Sequence, residues 1–238
     1  MFSLIPKSNL IAEKYAGEIN FWQMTIKQYV EWYNGKIKLY KENPPKKKQR
    51  VKGYTLADSA ILTWGKVHQE KKYLRDLQLP SHAFKGKKLL DIGSGPHPSA
   101  MCFKGAKLYC LDPLLPKYLE LGFPLHYYEG VKFVAGKSES IPFPKAFFDA
   151  VISVNAIDHV DDIKKTALEI KRVLKPKGKL RMHIHYHKRT QAEPIELNDK
   201  KIKQLFGWRK GFVKIGESNE KTGFTLTDPN EKYTLWSN

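Results

Sequence analysis

Short apolar runs and longer amphipathic segments alternate along the chain from about residue 85 onward. The apolar runs, which predict five strands, occupy residues 88–92, 107–111, 131–134, 148–154 and 179–186. The clearest amphipathic segment is 161–174, with Asp161 and Asp162 at its start and basic residues at its end, as the helix dipole favours. Strands that alternate with helices predict an α/β fold with parallel neighbours and right-handed crossovers.

The pattern predicts shorter elements elsewhere in this part of the chain. Two brief helices are expected near residues 98–103 and 117–121. After them the tail is expected to form a helix over 198–206 and two strands over 211–218 and 232–236. Residues 223–230 are rich in turn formers and are predicted to connect those last two strands.

Residues 1 to about 84 have helical periodicity. A first helix is expected from Ser8 or Asn9 onward, and Asn43-Pro44-Pro45 is expected to stop it. A second helix is predicted to begin between residues 55 and 58 and to run to Leu79, before Pro80. The first helix is dense in aromatic residues, which favours packing on the core and leaves a role as a lid over a pocket open.

A glycine-rich turn follows the first predicted strand. Asp91 lies at the end of the apolar run, and Gly93 and Gly95 let the backbone turn sharply and approach a ligand closely. Asp112 ends the second strand about twenty residues later, where an acidic residue binds ribose hydroxyls in nucleotide-binding sheets. Because such sheets bind ligands at the carboxyl ends of their strands, we expect these residues to share one site.

Three further motifs follow the turn in order: FVAGKSESIPFP (133–144), AFFDAVISVNAIDHVDD (146–162) and ALEIKRVLKPKGKL (167–180). With the turn, they resemble the class I S-adenosylmethionine (SAM) dependent methyltransferases that methylate small molecules, over roughly residues 85–187. The resemblance implies a Rossmann-like, doubly wound seven-stranded sheet, mostly parallel with an antiparallel last strand. It also implies two parts, an N-terminal helical cap or lid (1–84) and a methyltransferase domain (85–238).

The resemblance implies that the cofactor is SAM and that the product is S-adenosylhomocysteine (SAH). The residues expected against the methionine moiety and ribose are Asp91, Gly93, Ser94 and Gly95. Asp112 would accept both ribose hydroxyls, because an ionised Asp is an acceptor only and can bind two donors. Pro113 and Leu114 would flank the adenine.

The segment after the third strand departs from the family pattern at one position. Ser138 and Glu139 match the family's Asp-Ala-Glu-x-Leu-Pro-Phe segment, but Lys137 stands where an acid usually accepts from the adenine amino group. The backbone at Ser138 is left as the expected adenine contact. Pro96 is a second departure, which stiffens the turn and removes one N–H donor. Asn155 is expected to line the pocket near the methyl group.

Histidines at two strand ends are the candidate bases. His159 follows the fourth strand, and a run with His183, His185 and His187 lies at the carboxyl end of the fifth strand, where strand geometry places the three on one face. We take His159, His185 and His187 as candidate catalytic residues, because an imidazole can remove the proton of an acceptor hydroxyl.

Two other interpretations of this histidine run stay open. One is polar packing, and the other is a metal site completed by Glu193 or Asp158. Class I methyltransferases that use a metal mostly bind it through carboxylates, so the sequence leads us to assign no metal ligand.

Charge and composition limit the partners. The net charge of +18 raises a nucleic-acid interpretation, and residues 46–52 form a basic segment expected to be an exposed loop. Most of the excess is Lys scattered along the chain, whereas Arg is the better bidentate phosphate ligand. Two cysteines are too few for a disulfide framework. No apolar run has signal-peptide or membrane-span character, so we expect a cytoplasmic protein.

The main hypothesis is therefore a SAM-dependent methyltransferase acting on a small molecule, with the methyl group transferred to a hydroxyl oxygen of a sugar, glycan precursor or other metabolite. One alternative is an RNA methyltransferase that binds phosphates with the 46–52 loop. Another is a non-catalytic partner protein with a SAM-binding fold, against which the intact glycine turn and Asp112 speak. The acceptor and the oligomeric state stay open.

Overall fold

Seven strands form one sheet in the computed structural model, which describes residues 15–48, 50–190, 193–218 and 232–238. The strands are β1 (Lys88–Ile92), β2 (Lys107–Asp112), β3 (Lys132–Ala135), β4 (Phe148–Val154), β5 (Leu174–Tyr186), β6 (Val213–Ser218) and β7 (Lys232–Ser237). Their order in the sheet is β3-β2-β1-β4-β5-β7-β6. Strands β1 to β5 pair in parallel, and β7 pairs antiparallel with both β5 and β6. The predicted Rossmann-like sheet is confirmed.

Six α-helices are present among the described residues: α1 (Ala16–Tyr33), α2 (Leu56–Trp64), α3 (Glu70–Leu77), α4 (Leu115–Glu120), α5 (Ile163–Val173) and α6 (Asp199–Phe206). The brief helix expected near 98–103 is a 3-10 turn over Ser99–Cys102. Strand β5 begins five residues earlier than predicted, because the chain passes from α5 straight into the strand and Leu174 pairs with Phe148. The predicted connection 223–230 lies outside the described residues.

Alternation of side chains along β1 divides the core into two layers. Leu90 and Ile92 lie on the face that α5 and α6 cover. Leu89 lies on the opposite face, in one cluster with Leu77 of α3 and Phe103. Because both faces of the central strands are covered, the strands read as nearly continuous apolar runs, which is why the sequence located them well.

The first helix ends earlier than the sequence suggested. Its start at Ser8 or Asn9 lies outside the described residues, and its predicted end at Asn43-Pro44-Pro45 is wrong. The helix ends at Tyr33, and Gly35 follows with φ +83°, a conformation that favours glycine. The next segment folds back on the helix, where Trp32 Nε1 donates to the carbonyls of Glu42 and Asn43 at 3.3 and 3.1 Å.

Aromatic side chains pack α1 on α2. Tyr29 stacks on Trp64 with ring centroids 5.3 Å apart, and Trp32 meets the same ring edge-on at 5.0 Å. Both residues of α1 are about 1% exposed. The packing role expected for the aromatic residues is therefore confirmed at these two positions.

The second predicted helix is interrupted but otherwise confirmed. Thr55 begins it with a capping box, in which its side chain accepts from Asp58 N and the Asp58 side chain accepts from Thr55 N. A π-helical turn over Gly65–Gln69 then separates α2 from α3. Such turns occur often near functional sites.

A buried arginine joins the end of α3 to the sheet. Arg181 of β5 donates from Nε to the carbonyl of Leu77 at 2.6 Å and from Nη2 to that of Gln78 at 3.2 Å. A cation at this end of a helix is stabilised by unpaired carbonyls and by the helix dipole. We call this contact the Arg181 clasp. In the described ranges, no helix is long and apolar enough to cross a membrane.

Candidate functional site

A cavity of about 520 Å³ opens at the carboxyl ends of β1, β2 and β4. The cofactor and catalytic candidates that line it are Gly93, Ser94, Gly95, Asp112, Pro113, Leu114, Ser138, Glu139, Asn155, His159 and His185. Asp91 and His187 do not line it. The parallel register brings the ends of β1, β2 and β4 to one edge, as sequence reasoning expected.

The glycine turn has no room for a side chain at Gly93, whereas at Gly95 the positive φ alone favours glycine. Gly93 has φ +68°, and a Cβ atom built there would lie 2.2 Å from the Cβ of Ala156. Gly95 has φ +62°, and its added Cβ would lie 3.7 Å from the Trp22 ring of α1. Glycine at 93 is thus required twice, by backbone conformation and by the close passage of the segment after β4.

Asp112 joins the ends of β1 and β2. Its Oδ2 accepts from Gly95 N at 2.9 Å, and its Oδ1 accepts from Leu114 N at 2.8 Å. Burial and the nearby Glu18 carboxylate raise the pKa of Asp112 to about 7, against the lowering effect of these two hydrogen bonds. Each carboxylate oxygen keeps a second lone pair, so the group can accept from two further donors.

Asp91 lies beneath the turn, not on its surface. The residue is fully buried, and the Tyr73 hydroxyl donates to its Oδ1 at 3.5 Å. Burial raises the pKa of Asp91 well above its ordinary value, although the bond from Tyr73 lowers it. Asp91 can therefore support the turn from below, but it does not touch the cavity to which the sequence assigned it.

The side chains of Ser138 and Glu139 are engaged with the start of α5. Glu139 Oε1 accepts from the backbone amides of Asp161 and Asp162 at 2.6 and 3.0 Å. The Ser138 hydroxyl lies 3.0 Å from that of Thr166. These bonds tie the segment after β3 to α5 at the edge of the cavity, which both residues line. Lys137, the departure from the family pattern, forms an ion pair with Asp161 at 2.6 Å.

Asn155 has an uncommon backbone conformation at the end of β4. Its φ is +50°, and Oδ1 lies 3.0 Å from Nδ1 of His183 on the neighbouring strand. Non-glycine residues in this conformation often mark functional sites. Burial lowers the pKa of His183 to about 4, so this imidazole is neutral at physiological pH.

The three candidate bases fall into different environments. His159 and His185 line the cavity, and both face Glu193, whose Oε1 lies 3.7 Å from His159 Nε2 and 3.8 Å from His185 Nδ1. His187 lies behind them, with Nε2 3.0 Å from Oδ2 of the buried Asp158. The fold therefore brings together five residues that sequence spacing alone could only propose as neighbours.

His187 is protonated at neutral pH, because its surroundings raise its pKa. Burial lowers its pKa, but the hydrogen bonds to Asp158 and to the Lys188 carbonyl outweigh that effect and raise it to about 9. Its Nδ1 donates to the Lys188 carbonyl at 2.6 Å. An imidazole protonated at neutral pH cannot serve as a base, and His187 is also outside the cavity. In the form the structure describes, His187 does not fit the catalytic role that the sequence analysis allowed it.

Several cavity residues were missed by the sequence analysis. From α1, Glu18 and Trp22 reach the cavity, and from α3 so does Lys72. Glu18 Oε1 accepts from the Tyr118 hydroxyl at 3.0 Å. The dense aromatic pattern of α1 was a usable signal for Trp22, whereas nothing in the local sequence marks Glu18 or Lys72.

His97, two residues after the glycine turn, was also missed. It lines the cavity, and its Nε2 lies 3.2 Å from the Tyr29 hydroxyl. Burial lowers the pKa of His97 to about 3, so the ring is neutral. It packs among the rings of Trp22, Tyr29 and Phe123. His97 thereby connects the turn to α1.

Comparison with known proteins finds that the central part of the chain is similar to methyltransferases. Residues 90–182 match the family model described as a methyltransferase domain. The uncharacterized methyltransferase YcgJ of Bacillus subtilis is 32% identical over 103 residues, which cover 42% of this chain and 41% of that protein. The matched regions span between 26% and 54% of the length of the curated relatives.

Solved structures share the fold. The crystal structure of YcgJ superposes with a TM-score of 0.52 at 19% identity, covering 71% of this chain and 96% of that one. The 1,6-didemethyltoxoflavin-N1-methyltransferase of Burkholderia thailandensis, solved with bound 1,6-didemethyltoxoflavin and SAH, has a TM-score of 0.52 at 14% identity. That match covers 97% of this chain and 91% of that one.

Proposed function

Because residues 90–182 belong to the class I SAM-dependent methyltransferases, we propose that this protein transfers the methyl group of SAM to a small molecule, at a hydroxyl oxygen. One observation carries the proposal. A single cavity has the glycine turn and Asp112 along one side and His159, His185 and Glu193 along another. It thus combines features that suit a nucleoside with groups that suit removal of a proton.

The donor set of the first side fits SAM. Asp112 is buried and keeps two free lone pairs, which matches a pair of ribose hydroxyls. Pro113 and Leu114 add an apolar wall for adenine, and Glu18 adds a second carboxylate for the ammonium of the cofactor. The absence of Cβ atoms at Gly93 and Gly95 lets a ligand approach the backbone. The volume of about 520 Å³ lies within the range of ligand pockets.

For methyl transfer from SAM, the protein mainly has to align the acceptor and remove the proton of its hydroxyl group. Bound SAM supplies an electrophilic methyl group on a good leaving group. His159 or His185 accepts the proton of the acceptor hydroxyl, and Glu193 orients either imidazole. Helix α1 covers the cavity through Trp22 and excludes water, in keeping with a cap of residues 1–84 over a methyltransferase domain of residues 85–238.

A small acceptor suits the cavity better than RNA does. The lining includes apolar and aromatic side chains from α1, such as Phe21 and Trp22, and no described residue of the basic segment 46–52. Lys48 of that segment donates to the carbonyl of Asn34 on the outer surface. The RNA and non-catalytic alternatives therefore gain no specific support.

The test combines binding with turnover. The full chain is titrated with SAH by calorimetry, and it is then incubated with SAM labelled in the methyl group and a panel of sugars, nucleotide sugars, phenols and polyols. We expect saturable SAH binding, and SAH release with a hydroxyl-bearing acceptor. The same acceptor already methylated at that oxygen is the matched control and should release none. Absence of SAH binding would contradict the cofactor assignment, and turnover with RNA alone would contradict the small-molecule assignment.

A further inference from the structure

Four side chains converge behind the catalytic side of the cavity. They are Asp158 from the segment after β4, His185 from β5, His187 directly after that strand, and Glu193 from the loop that follows. One ligand-type atom from each lies within 4.8 Å of all the others. Asp158 and His187 are 1% exposed in their side chains, and Glu193 is 28% exposed. The cluster is therefore closed on its inner side and open toward the cavity.

Two of the separations in the cluster are close to those that a metal imposes. His187 Nε2 lies 3.0 Å from Asp158 Oδ2, and His185 Nδ1 lies 3.8 Å from Glu193 Oε1. Two ligand atoms on a tetrahedral Zn²⁺, with bonds of about 2.0–2.2 Å, stand roughly 3.3 Å apart. Side-chain shifts of a few tenths of an ångström would bring both pairs to this spacing.

The orientation of His187 is the one that a metal ligand adopts. Its Nδ1 donates to the Lys188 carbonyl at 2.6 Å, which leaves Nε2 directed at Asp158. Metal-binding imidazoles almost always give their second N–H to a carbonyl or carboxylate, which sets the tautomer and the ring orientation. Without an ion, a proton must stand between Nε2 and the carboxylate.

Asp158 provides an independent observation. Its Oδ1 is buried and has no hydrogen-bond partner among the described residues. An unsatisfied carboxylate oxygen in the interior is costly. A cation that Asp158 bound through both carboxylate oxygens would satisfy Oδ1, which the bond between Oδ2 and His187 leaves without a partner.

We propose that Asp158, His185, His187 and Glu193 bind one divalent transition-metal ion, and the set of two imidazoles and two carboxylates points to Zn²⁺. His185 and Glu193 also line the cavity, so an additional coordination position would face the acceptor. An oxygen of the acceptor is the ligand that such a position takes, and coordination polarises it. When His185 and Glu193 bind the ion, His159 is the imidazole left to accept the proton of the acceptor. Only this last role depends on the proposed function, since the site itself rests on the geometry of the four side chains.

Direct metal binding tests the site without turnover. The full chain is stripped with a chelator and titrated with Zn²⁺ against a chromophoric competitor, and Co²⁺ is used separately as a spectroscopic probe. We expect one ion per chain and visible Co²⁺ bands of a four- or five-coordinate site. Asp158→Asn and His187→Gln should weaken Zn²⁺ binding at least tenfold. His183→Gln is the matched control, since it removes an imidazole of the same strand that lies outside the cluster, and should bind as the wild type does.

A second variant and a second measurement distinguish loss of metal binding from loss of folding. Glu193→Gln changes the most exposed of the four ligands, and it should weaken binding while the circular dichroism spectrum stays native. Zn²⁺ should raise the Tm of the wild type and of His183→Gln but not that of Glu193→Gln, because only an ion that binds the folded state stabilises it. If the wild type binds no stoichiometric Zn²⁺, or if the cluster variants bind it as tightly as the control, Asp158 and His187 are a plain ion pair. SAH titration of the same samples stays informative about the proposed function in either case.

Discussion

Asp112 accepts a 2.9 Å hydrogen bond from the backbone amide of Gly95, and this contact joins the end of β2 to the turn after β1. The two features that the sequence identified separately are thus one unit in the fold. Any change at Asp112 acts on the shape of the turn as well as on the groups offered to a ligand. The variants below are chosen with that coupling in mind.

Removing the Asp112 carboxylate should weaken cofactor binding. We expect Asp112→Ala to lower the affinity for SAH at least about tenfold, or roughly 1.4 kcal/mol, because two hydroxyl acceptors are lost. Calorimetric titration measures the effect. Asp149→Asn is the control, since that residue accepts from Lys88 N and pairs with Lys175 away from the cavity. Equal SAH affinity in Asp112→Ala and wild type would remove Asp112 from the ribose role.

Cofactor affinity should also depend on pH. The pKa of Asp112 is raised to about 7, so the carboxylate is charged above that pH and protonated below it. Because the charged form accepts from two hydroxyls, we expect SAH affinity to fall about tenfold between pH 8 and pH 6. The Glu18 carboxylate helps to raise this pKa, so Glu18→Gln should move the midpoint to lower pH. A flat profile in the wild type would contradict this electrostatic account.

Loss of the catalytic base should affect rate more than binding. We expect His159→Ala or His185→Ala to lower kcat by about 10² to 10⁴, with SAH affinity nearly unchanged. Added imidazole should restore part of the rate to the variant that lacks the base, because a small base can occupy the space. If both variants keep the wild-type kcat, alignment alone drives the transfer.

The turn at Gly93 should tolerate no side chain. Gly93→Ala combines strain from φ +68° with a contact of 2.2 Å to the Ala156 Cβ. Gly130→Ala is a matched control, since Gly130 has φ +78° but no atom within 4 Å of the added Cβ. We expect Gly93→Ala to lower the free energy of unfolding by about 1–3 kcal/mol more than Gly130→Ala does. Chemical denaturation measures the difference, and equal losses would show that the close contact relaxes at no cost.

Neutralising the basic segment should leave the cofactor site intact. We expect the combined change of Lys46, Lys47, Lys48 and Arg50 to Gln to alter neither Tm nor SAH affinity appreciably, because these residues do not line the cavity. If turnover of the true acceptor collapsed in this variant, and if the loss varied with salt, a polyanionic acceptor would be favoured instead.

The central sheet could be predicted because its information is local. Strand β4 was expected at residues 148–154 and lies there. A short continuous apolar run between polar flanks is typical of a strand that is buried on both faces. The end of α1 could not be predicted in the same way. It depends on Gly35 and on the return of the chain to Trp32, and two prolines further on gave a stronger but misleading signal.

The sequence could predict which residues lie near the site, but not what each side chain does there. Spacing predicted Asp112 and Glu139 at the site and both line the cavity, yet Glu139 uses its carboxylate on the start of α5, which only the fold reveals. His187 follows His185 by two residues, but Asp158 makes it a cation. Asp158 reaches it from 29 residues away. The contribution of Glu18 depends on how α1 packs, which the periodicity of one helix cannot show.

The Arg181 clasp has a consequence for the wall of the cavity. To lift α3 from the sheet, the chain would have to leave a buried guanidinium and two helix-end carbonyls unpaired, at a cost of about 1–3 kcal/mol for each group. Lys72 of α3 lines the cavity, and His185 lines it from the strand that carries Arg181. The clasp therefore holds these two parts of the cavity wall at a constant distance from each other.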